Sequence, residues 1–279
     1  MFNSCSKCRN IHLIISEIAT PDPFFTLFKE PPTAGSLPEQ FTFLENNKPH
    51  PLCQFAAEQL QGYLLDQDDW IHNFGLKPDQ EGSIIGKMFG VLVVQTSENE
   101  LGYLAAFSGK LAGGNHHSKF VPPVFDSLHQ NSFLNNGMTE LTRMNEEIKK
   151  AEASKEENQK ERISTLKIAR RIHSKALQNE LFNHYNFLNQ KGEEKSLNQI
   201  FKAASYKNPP AGAGECAGPK LLQYAFQNQM KPLAIAEFWW GQSPKSAQWK
   251  HNNYYPCCKE KCEPILAHML DGLDYEIQI

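Results

Sequence analysis

Residues 87–108, KMFGVLVVQTSENELGYLAAFS, decide the fold of this chain. Met88 to Val94 form a continuous apolar, β-branched run, which is typical of a strand that is buried on both faces. Residues 97–100 are polar and predict a turn, and the run from Leu101 to Ser108 predicts a second strand. Two strands joined by a short turn form a β-hairpin, so we expect this hairpin to lie within the main sheet.

Four further segments complete the predicted core. Residues 52–67 place apolar side chains on one face of a helix. Residues 231–240, KPLAIAEFWW, predict a third strand, and we expect helices after Pro219 and at residues 265–273. The order is strand, strand, helical insertion, helix, strand, helix. It predicts an α/β fold in which helices pack on a small mixed β-sheet.

A long helical segment interrupts this core at residues 138–190. We expect a long helix or a helical hairpin that projects from the core, with a polar stretch in its middle. Apolar residues at helical spacing occupy both of its ends, namely Leu141, Met144, Ile148 and Ala151 in the first and Ile168, Ile172, Ala176, Leu177, Leu181 and Leu188 in the second.

The sequence therefore divides into five predicted parts. They are an extended N-terminal arm (1–50), a core half made of a helix and the β-hairpin (51–137), a coiled-coil-like helical insertion (138–190), a cysteine-containing α/β half of the core (191–273), and the start of a linker to a further domain (274–279).

Three cysteines fall at the starts of two predicted helices and predict a metal site. Residues 209–222, PPAGAGECAGPKLL, contain Cys216, and residues 256–262, PCCKEKC, contain Cys258 and Cys262. Thiolates are soft ligands that suit zinc. We expect the three sulfurs to converge on one ion, with Cys257 as the alternative ligand if Cys258 points into the core. Buried reduced thiols at two helix starts are the other interpretation.

The layout loop-Cys-helix, strand, Pro-Cys-helix is similar to that of the zinc nucleobase deaminases, with two departures. Those enzymes place a catalytic Glu two residues after the first ligand, where this chain has Gly218, and their second motif is P-C-x-x-C. We therefore expect deaminase activity to be absent even if zinc binds. Glu215 and Glu237 are the displaced acids that could take the missing role.

Other cysteine and histidine patterns remain open. Cys5 and Cys8 form a C-x2-C pair that predicts half of a second zinc site, which Cys53 or His12 would complete. A nucleophilic pairing of Cys216 with His251 or His116 is a further alternative.

Composition limits the function classes. The net charge of −3 gives no overall attraction to nucleic acid, so any such surface must be local. The odd number of cysteines, seven, does not suggest a disulfide framework. The sequence has no signal peptide pattern and no apolar run long enough to span a membrane, so we expect a cytoplasmic protein.

Two segments carry candidate RNA contacts. Between residues 162 and 175 the charges are all positive, and a basic helical stripe can follow a phosphate backbone, although a solvated helix face is the alternative. Residues 242–255 mix aromatics with cations, which suits stacking on unpaired bases or packing onto the domain itself. The candidate contacts are Arg162, Lys167, Arg170, Arg171, Lys175, Lys245, Trp249 and Lys250.

Several blocks of the sequence resemble the N-terminal region of long bacterial RluA-type ribosomal RNA pseudouridine synthases. The resemblance spans about residues 51–272. The blocks are IGKMFGVL (85–92), AAFSGKL (105–111), FVPPVFD (120–126), PPAGAGEC (209–216), AEFWWG (236–241) and KCEPIL (261–266).

This resemblance implies a role in RNA modification. The family's catalytic motif is His-Arg-Leu-Asp, and this sequence contains no such tetrapeptide. We therefore expect an accessory domain for RNA recognition or scaffolding, with ribosomal RNA and a synthase catalytic domain as partners. The alternative is an inactive deaminase-like protein that binds zinc.

Overall fold

The computed structural model describes residues 22–30, 37–44, 48–126, 132–154, 158–204, 208–244 and 249–273. Its elements in chain order are β1 (Thr26–Leu27), α1 (Pro51–Asp66), β2 (Lys87–Gln95), β3 (Leu101–Phe107), α2 (Phe133–Ala153), α3 (Gln159–His184), β4 (Asn186–Leu188), β5 (Glu194–Ser196), α4 (Leu197–Ala203), α5 (Ala217–Gln227), β6 (Lys231–Trp240), β7 (Tyr254–Tyr255) and α6 (Glu263–Met269).

The main sheet has five strands in the order β1-β3-β2-β6-β7, and its neighbouring strands pair antiparallel. The predicted hairpin is confirmed, because β2 and β3 pair from Phe89 with Phe107 to Gln95 with Leu101. Asn99 takes a positive φ of 66° in the turn, a conformation that asparagine tolerates better than most residues. A parallel bridge joins Thr42 to Ala234 of strand β6.

Helices cover both faces of this sheet, as the predicted α/β class requires. On one face α1 buries Leu52, Ala56 and Leu60 against apolar side chains of β2, β3 and β6. On the other face α5 and α6 bury Leu221 and Ile265 in a second apolar cluster. Because β2 and β6 lie in the middle of the sheet, their side chains are buried on both faces, which explains their continuous apolar sequences.

The insertion is a helical hairpin, one of the two predicted forms. Helices α2 and α3 pack together, and Gly137 allows the side chain of Leu177 to approach the α2 backbone closely. Leu141, Ile148 and Ala151 are buried as the heptad pattern predicts.

The first three residues of the second apolar group of the insertion are not buried. Ile168 and Ile172 are 54% and 62% exposed, and Ala176 is also exposed. For these three residues the expected packed stripe is wrong. Leu177 of the same predicted group is buried against α2, and Leu181 is half-buried.

The predicted helical segment 138–190 is wrong at its end, because α3 ends at His184 and residues 186–188 form strand β4. Strand β5 and the short helix α4 follow and were not predicted. Strands β4 and β5 pair antiparallel, and α4 begins at a capping box in which the Ser196 hydroxyl accepts from the Gln199 N–H. These elements cover the α5 and α6 side of the main sheet through Phe187, Leu197 and Phe201.

Some predictions fall on residues outside the described ranges. They concern Cys5, Cys8 and His12 of the second zinc pair, Lys245 of the RNA-contacting loop, and the linker at 274–279. Among the helices of the described ranges, none combines the length and the apolar character that crossing a membrane requires.

Candidate metal centre

The turn before α5 positions the first cysteine of the predicted site. Gly212 and Gly214 take positive φ values of 75° and 90°, so the backbone turns sharply into Cys216. A β-carbon at Gly214 would lie 2.8 Å from Cδ1 of Tyr185, so the close approach also requires glycine. These glycines thus serve the turn, and they bring Cys216 to the N-cap of α5.

The thiol of Cys216 is left available by the way in which α5 begins. An N-cap side chain often accepts from the first backbone N–H groups of its helix, but Cys216 makes no such bond. The Ser108 hydroxyl accepts from the Ala217 N–H at 3.2 Å, and the Glu237 carboxylate accepts from the Gly218 N–H at 3.0 Å. Side chains from the sheet therefore satisfy the helix start.

The other two cysteines lie in the turn that begins α6. The N–H groups of Cys262 and Glu263 both donate to the carbonyl of Cys258, at 3.1 and 3.2 Å, which folds Cys258 back over the helix start. Pro264 lies at the beginning of α6, where a missing N–H has no intrahelical partner to lose. Helices α5 and α6 are neighbours on one face of the sheet, so their starts can meet.

The three sulfurs converge as predicted. The Sγ atoms of Cys216, Cys258 and Cys262 all lie within 4.8 Å of one another, and those of Cys258 and Cys262 are 3.5 Å apart. Cys262 is buried, whereas Cys216 and Cys258 remain partly exposed. The cluster could hold a metal ion.

Hydrogen bonding within the cluster favours one thiolate. Bonds with Cys216 and then Cys262 lower the pKa of Cys258 far below its ordinary value. Bonds with Cys216 and then Cys258 raise the pKa of Cys262. The bond with Cys258 likewise raises the pKa of Cys216. A thiolate stabilised by two thiol donors is a suitable starting point for metal binding, because metal ligation requires deprotonated sulfur.

Glu237 lies on the same face of the sheet as the cluster and is 5% exposed. Burial raises its pKa to about 7. Cys257, the alternative ligand, is outside the cluster and hydrogen-bonds with Glu237, and burial raises the pKa of its thiol well above the usual range. The adjacent cysteines 257 and 258 thus have different environments.

Two glycines provide the space for the Glu237 side chain. Gly90 pairs with Glu237 across β2 and β6, and a β-carbon at Gly90 would lie 3.5 Å from Cγ of Glu237 and only 3.0 Å from Cβ of Ala217. A β-carbon at Gly218 would lie 3.7 Å from Oε1 of Glu237. Larger residues at either position would compete with the carboxylate or with α5 for the same space.

Glu215, the other displaced acid, points elsewhere. Its Oε1 accepts from the Tyr185 hydroxyl at 3.2 Å. Sequence reasoning missed the buried Lys220, which is 4% exposed. Its Nζ donates to the carbonyls of Phe107 and Gly109 at 2.9 and 3.2 Å. Burial lowers the pKa of Lys220 to about 8. A lysine in an otherwise amphipathic helix start carries no pattern that marks it as buried.

Three half-buried aromatic rings flank Glu237 and form what we call the aromatic wall: Trp239, Trp249 and Tyr255. Trp239 lies on the same face of the sheet as Glu237 because side chains alternate along a strand. Tyr255 of β7 is the cross-strand partner of Glu237. The Trp249 ring stacks on Trp239 at 5.9 Å and meets Tyr255 edge-on at 4.6 Å between centroids. The two interpretations of this loop, packing and base stacking, are compatible in this arrangement.

The cationic residues of α3 have different surroundings. Lys167 pairs with Glu152 of α2 at 2.8 Å. Arg170 is half-buried, and its buried Nε has no hydrogen-bond partner within the described ranges. Arg162, Arg171 and Lys175 are exposed, as is Lys250 in the loop after β6. Whether these residues contact RNA stays a prediction.

The structure gives different partners to the histidines that were weighed as bases for Cys216. His116 pairs with Asp126 at 3.1 Å, and His251 Nδ1 accepts from the Gly241 N–H at 3.1 Å. Cys53, a candidate for the second zinc pair, is fully buried in α1 on the opposite face of the sheet.

Comparisons with known proteins add no relative. No protein-family model matches the chain, and no significant match was found among curated proteins or solved structures.

Proposed function

We propose that this chain is a zinc-binding accessory domain that contacts RNA and works with an RluA-type pseudouridine synthase in ribosomal RNA modification. The observation that carries the proposal is the convergence of three thiols on the sheet face that also bears the aromatic wall. The two features together combine a metal centre with a surface that suits unpaired bases.

Zinc suits the cluster better than a hard cation does, because all three donors are thiols. Sulfurs that share a tetrahedral zinc ion lie about 3.8 Å apart, given bonds of about 2.3 Å. The 3.5 Å separation of the Cys258 and Cys262 sulfurs and the 4.8 Å limit for the set require only small side-chain shifts. A bound zinc would join the starts of α5 and α6.

The RNA role is supported by charge and by aromatic surface. Arg171 and Lys175 lie one turn apart on α3 and are exposed, so a phosphate backbone could reach both. The aromatic wall offers partly exposed rings, and stacking on such rings tolerates any base. Structured ribosomal RNA has unpaired loops that present both phosphates and bases.

The partner follows from what the sequence lacks. The blocks that resemble the synthase N-terminal region occur here without His-Arg-Leu-Asp, whose Asp attacks the target nucleoside in that family. We propose that isomerisation belongs to a synthase catalytic domain and that this domain holds the substrate RNA.

The test is the salt dependence of binding to a ribosomal RNA fragment by the zinc-loaded chain. We expect the double variant Arg171→Ala/Lys175→Ala to reduce the slope of log K against log salt by about 1.4, the value for two contacts to single-stranded RNA. Lys149→Ala/Lys150→Ala is the matched control, because it removes the same charge from exposed positions on α2. Equal slopes in the two double variants would contradict the RNA role of α3.

A further inference from the structure

The carboxylate of Glu237 fills the volume that an acid at position 218 would enter. A β-carbon on Gly218 would lie 3.7 Å from Oε1 of Glu237 and 3.6 Å from Sγ of Cys257. Position 218 is two residues after the ligand Cys216, where zinc deaminases carry their proton-transferring Glu. The carboxylate is therefore present at this place, although it arrives from strand β6 instead of helix α5.

The surrounding residues are arranged to hold that carboxylate in place. Gly90, opposite on β2, leaves room for the Glu237 side chain beneath the start of α5. The Gly218 N–H donates to Oε1 at 3.0 Å, which holds the carboxylate beside the second residue after the first thiol ligand. Of the two glycines, Gly90 is the one at which a β-carbon would crowd α5, because it would lie 3.0 Å from Cβ of Ala217.

The aromatic wall identifies the chemical class that the site would take. Trp239 and Tyr255 flank Glu237 on its own face of the sheet, and Trp249 packs against both rings. All three rings are partly exposed, and so are Cys216 and Cys258. A flat heteroaromatic ring is the kind of ligand that stacks on partly exposed aromatic side chains.

We propose that the three cysteines and Glu237 form a hydrolytic centre that removes the exocyclic amine of an unpaired nucleobase. This inference rests on the zinc binding proposed above, and it needs neither the α3 surface nor the synthase partner. It replaces the sequence-based expectation of an inactive site, since that expectation depended on the missing acid at position 218.

The reaction uses water and no other reactant. Zinc held by the three thiolates would make a water nucleophilic at neutral pH. Glu237 would accept one proton from this water as its oxygen bonds to the ring carbon that carries the amine, and would pass that proton to the ring nitrogen. It would then accept the remaining proton of the new hydroxyl group and pass it to the amine. The carbon–nitrogen bond then breaks, so that an amino base and water give an oxo base and ammonia. No electrons are gained or lost.

The first test measures ammonia release by the zinc-loaded full chain from cytidine, adenosine and single-stranded RNA. We expect turnover of at least one substrate, and a loss of about 100-fold or more in Glu237→Gln, in keeping with the usual contribution of general acid–base catalysis. Glu215→Gln is the matched control, because Glu215 is the acid next to Cys216 that bonds Tyr185 instead. Equal activity of wild type and Glu237→Gln would overturn the proposal.

A second readout separates catalysis from a purely structural role of Glu237 in capping α5. Purine ribonucleoside and 2-pyrimidinone ribonucleoside lack the amine, so a competent site adds water to their rings and changes their ultraviolet absorbance without turnover. We expect this change in wild type, its loss in Glu237→Gln, and its return in Gly218→Glu/Glu237→Ala, which moves the carboxylate to α5. Ordinary van der Waals contacts around a β-carbon at 218 permit that exchange.

Zinc content and melting temperature are measured for every variant, so that misfolding or metal loss is recognised. A zinc-loaded wild-type chain that neither releases ammonia nor hydrates either analogue would overturn the hydrolytic centre. Because the nucleoside assays require no affinity for RNA, their outcome is independent of the salt-dependence test of the RNA role.

Discussion

Replacing Cys258 by Ser should remove most of the stabilisation that zinc gives to this fold. Cys258 is partly exposed, and its sulfur lies 3.5 Å from that of Cys262. It is one of the three sulfurs that converge, so its loss leaves only two thiolate ligands. A hydroxyl at this position is a much poorer ligand for zinc.

The size of the effect follows from binding linkage. Free zinc at about 1,000 times the dissociation constant stabilises the folded state by about 4 kcal/mol, which raises the melting temperature by about 8–16 °C in a chain of this size. If the loss of one thiolate weakens binding on the order of 100-fold, the same free zinc stabilises the variant by only about 1.4 kcal/mol. The zinc-induced shift then falls to about a third.

The assay is thermal unfolding in a zinc buffer, with and without chelator, for each variant. Cys257→Ser is the matched control, because it makes the same change at the adjacent residue, whose sulfur lies outside the cluster. The zinc-induced shift is compared within each variant, so intrinsic effects of the substitution cancel. An undiminished shift in Cys258→Ser, or an equal loss in Cys257→Ser, would refute the assignment of the ligands.

Three further outcomes are expected. Incubation of the chain alone with ribosomal RNA transcripts should yield no pseudouridine, and turnover detected by mass spectrometry would contradict this. The folded-state pKa of Lys220, about 8, lies below the ordinary 10.5. The unfolded state therefore binds the proton more tightly. The unfolding free energy of wild type relative to Lys220→Met should rise by up to about 3 kcal/mol as the pH increases from about 8 to 10.5. If denaturant titrations show a difference that does not change with pH, this result would count against the burial of the Lys220 cation. Gly90→Val should lower the unfolding free energy by about 1–3 kcal/mol in the same titrations, because its β-carbon would lie 3.0 and 3.1 Å from atoms of Ala217 and Leu221. A β-carbon at Gly62 has no neighbour within 4 Å, so Gly62→Ala should stabilise α1 by about 0.5–1 kcal/mol. A cost for Gly62→Ala equal to that of Gly90→Val would refute the reasoning.

The elements that could be predicted from the sequence are those whose burial leaves a strong local pattern. The runs of β2 and β6 are apolar on both faces because they occupy the middle of the sheet, and the predicted bounds of β6 agree with the structure. The strands β4 and β5 have only three residues each, and β5 (Glu-Lys-Ser) is polar throughout. They pair with each other, and β4 packs against α5 and α6, which no local pattern reveals.

The apolar pattern at the start of α3 led to a wrong prediction of burial for a related reason. Ile168 and Ile172 are one turn apart and indicate an apolar face, but helical spacing does not reveal whether a partner covers that face. The described part of α2 packs on α3 at Leu177, where Gly137 permits close approach, and not at Ile168 or Ile172.

The candidate site was predictable in its ligands but not in its acid. The positions of Cys216, Cys258 and Cys262 at two helix starts follow from the proline and glycine signals around them. Which face Glu237 occupies could not be read from the sequence, because apolar residues surround it on both sides of β6. Only the register with Gly90 and the position of α5 place its carboxylate beside Gly218.

The most direct measurement is the metal content of the purified chain together with the X-ray absorption spectrum of its zinc. We expect one zinc per chain, with three sulfur ligands at about 2.3 Å and one light-atom ligand at the remaining position. Cys216→Ser should reduce the sulfur count by one. A chain that binds no zinc would contradict the metal centre, and a shell of four sulfurs would contradict the open position that hydrolysis requires.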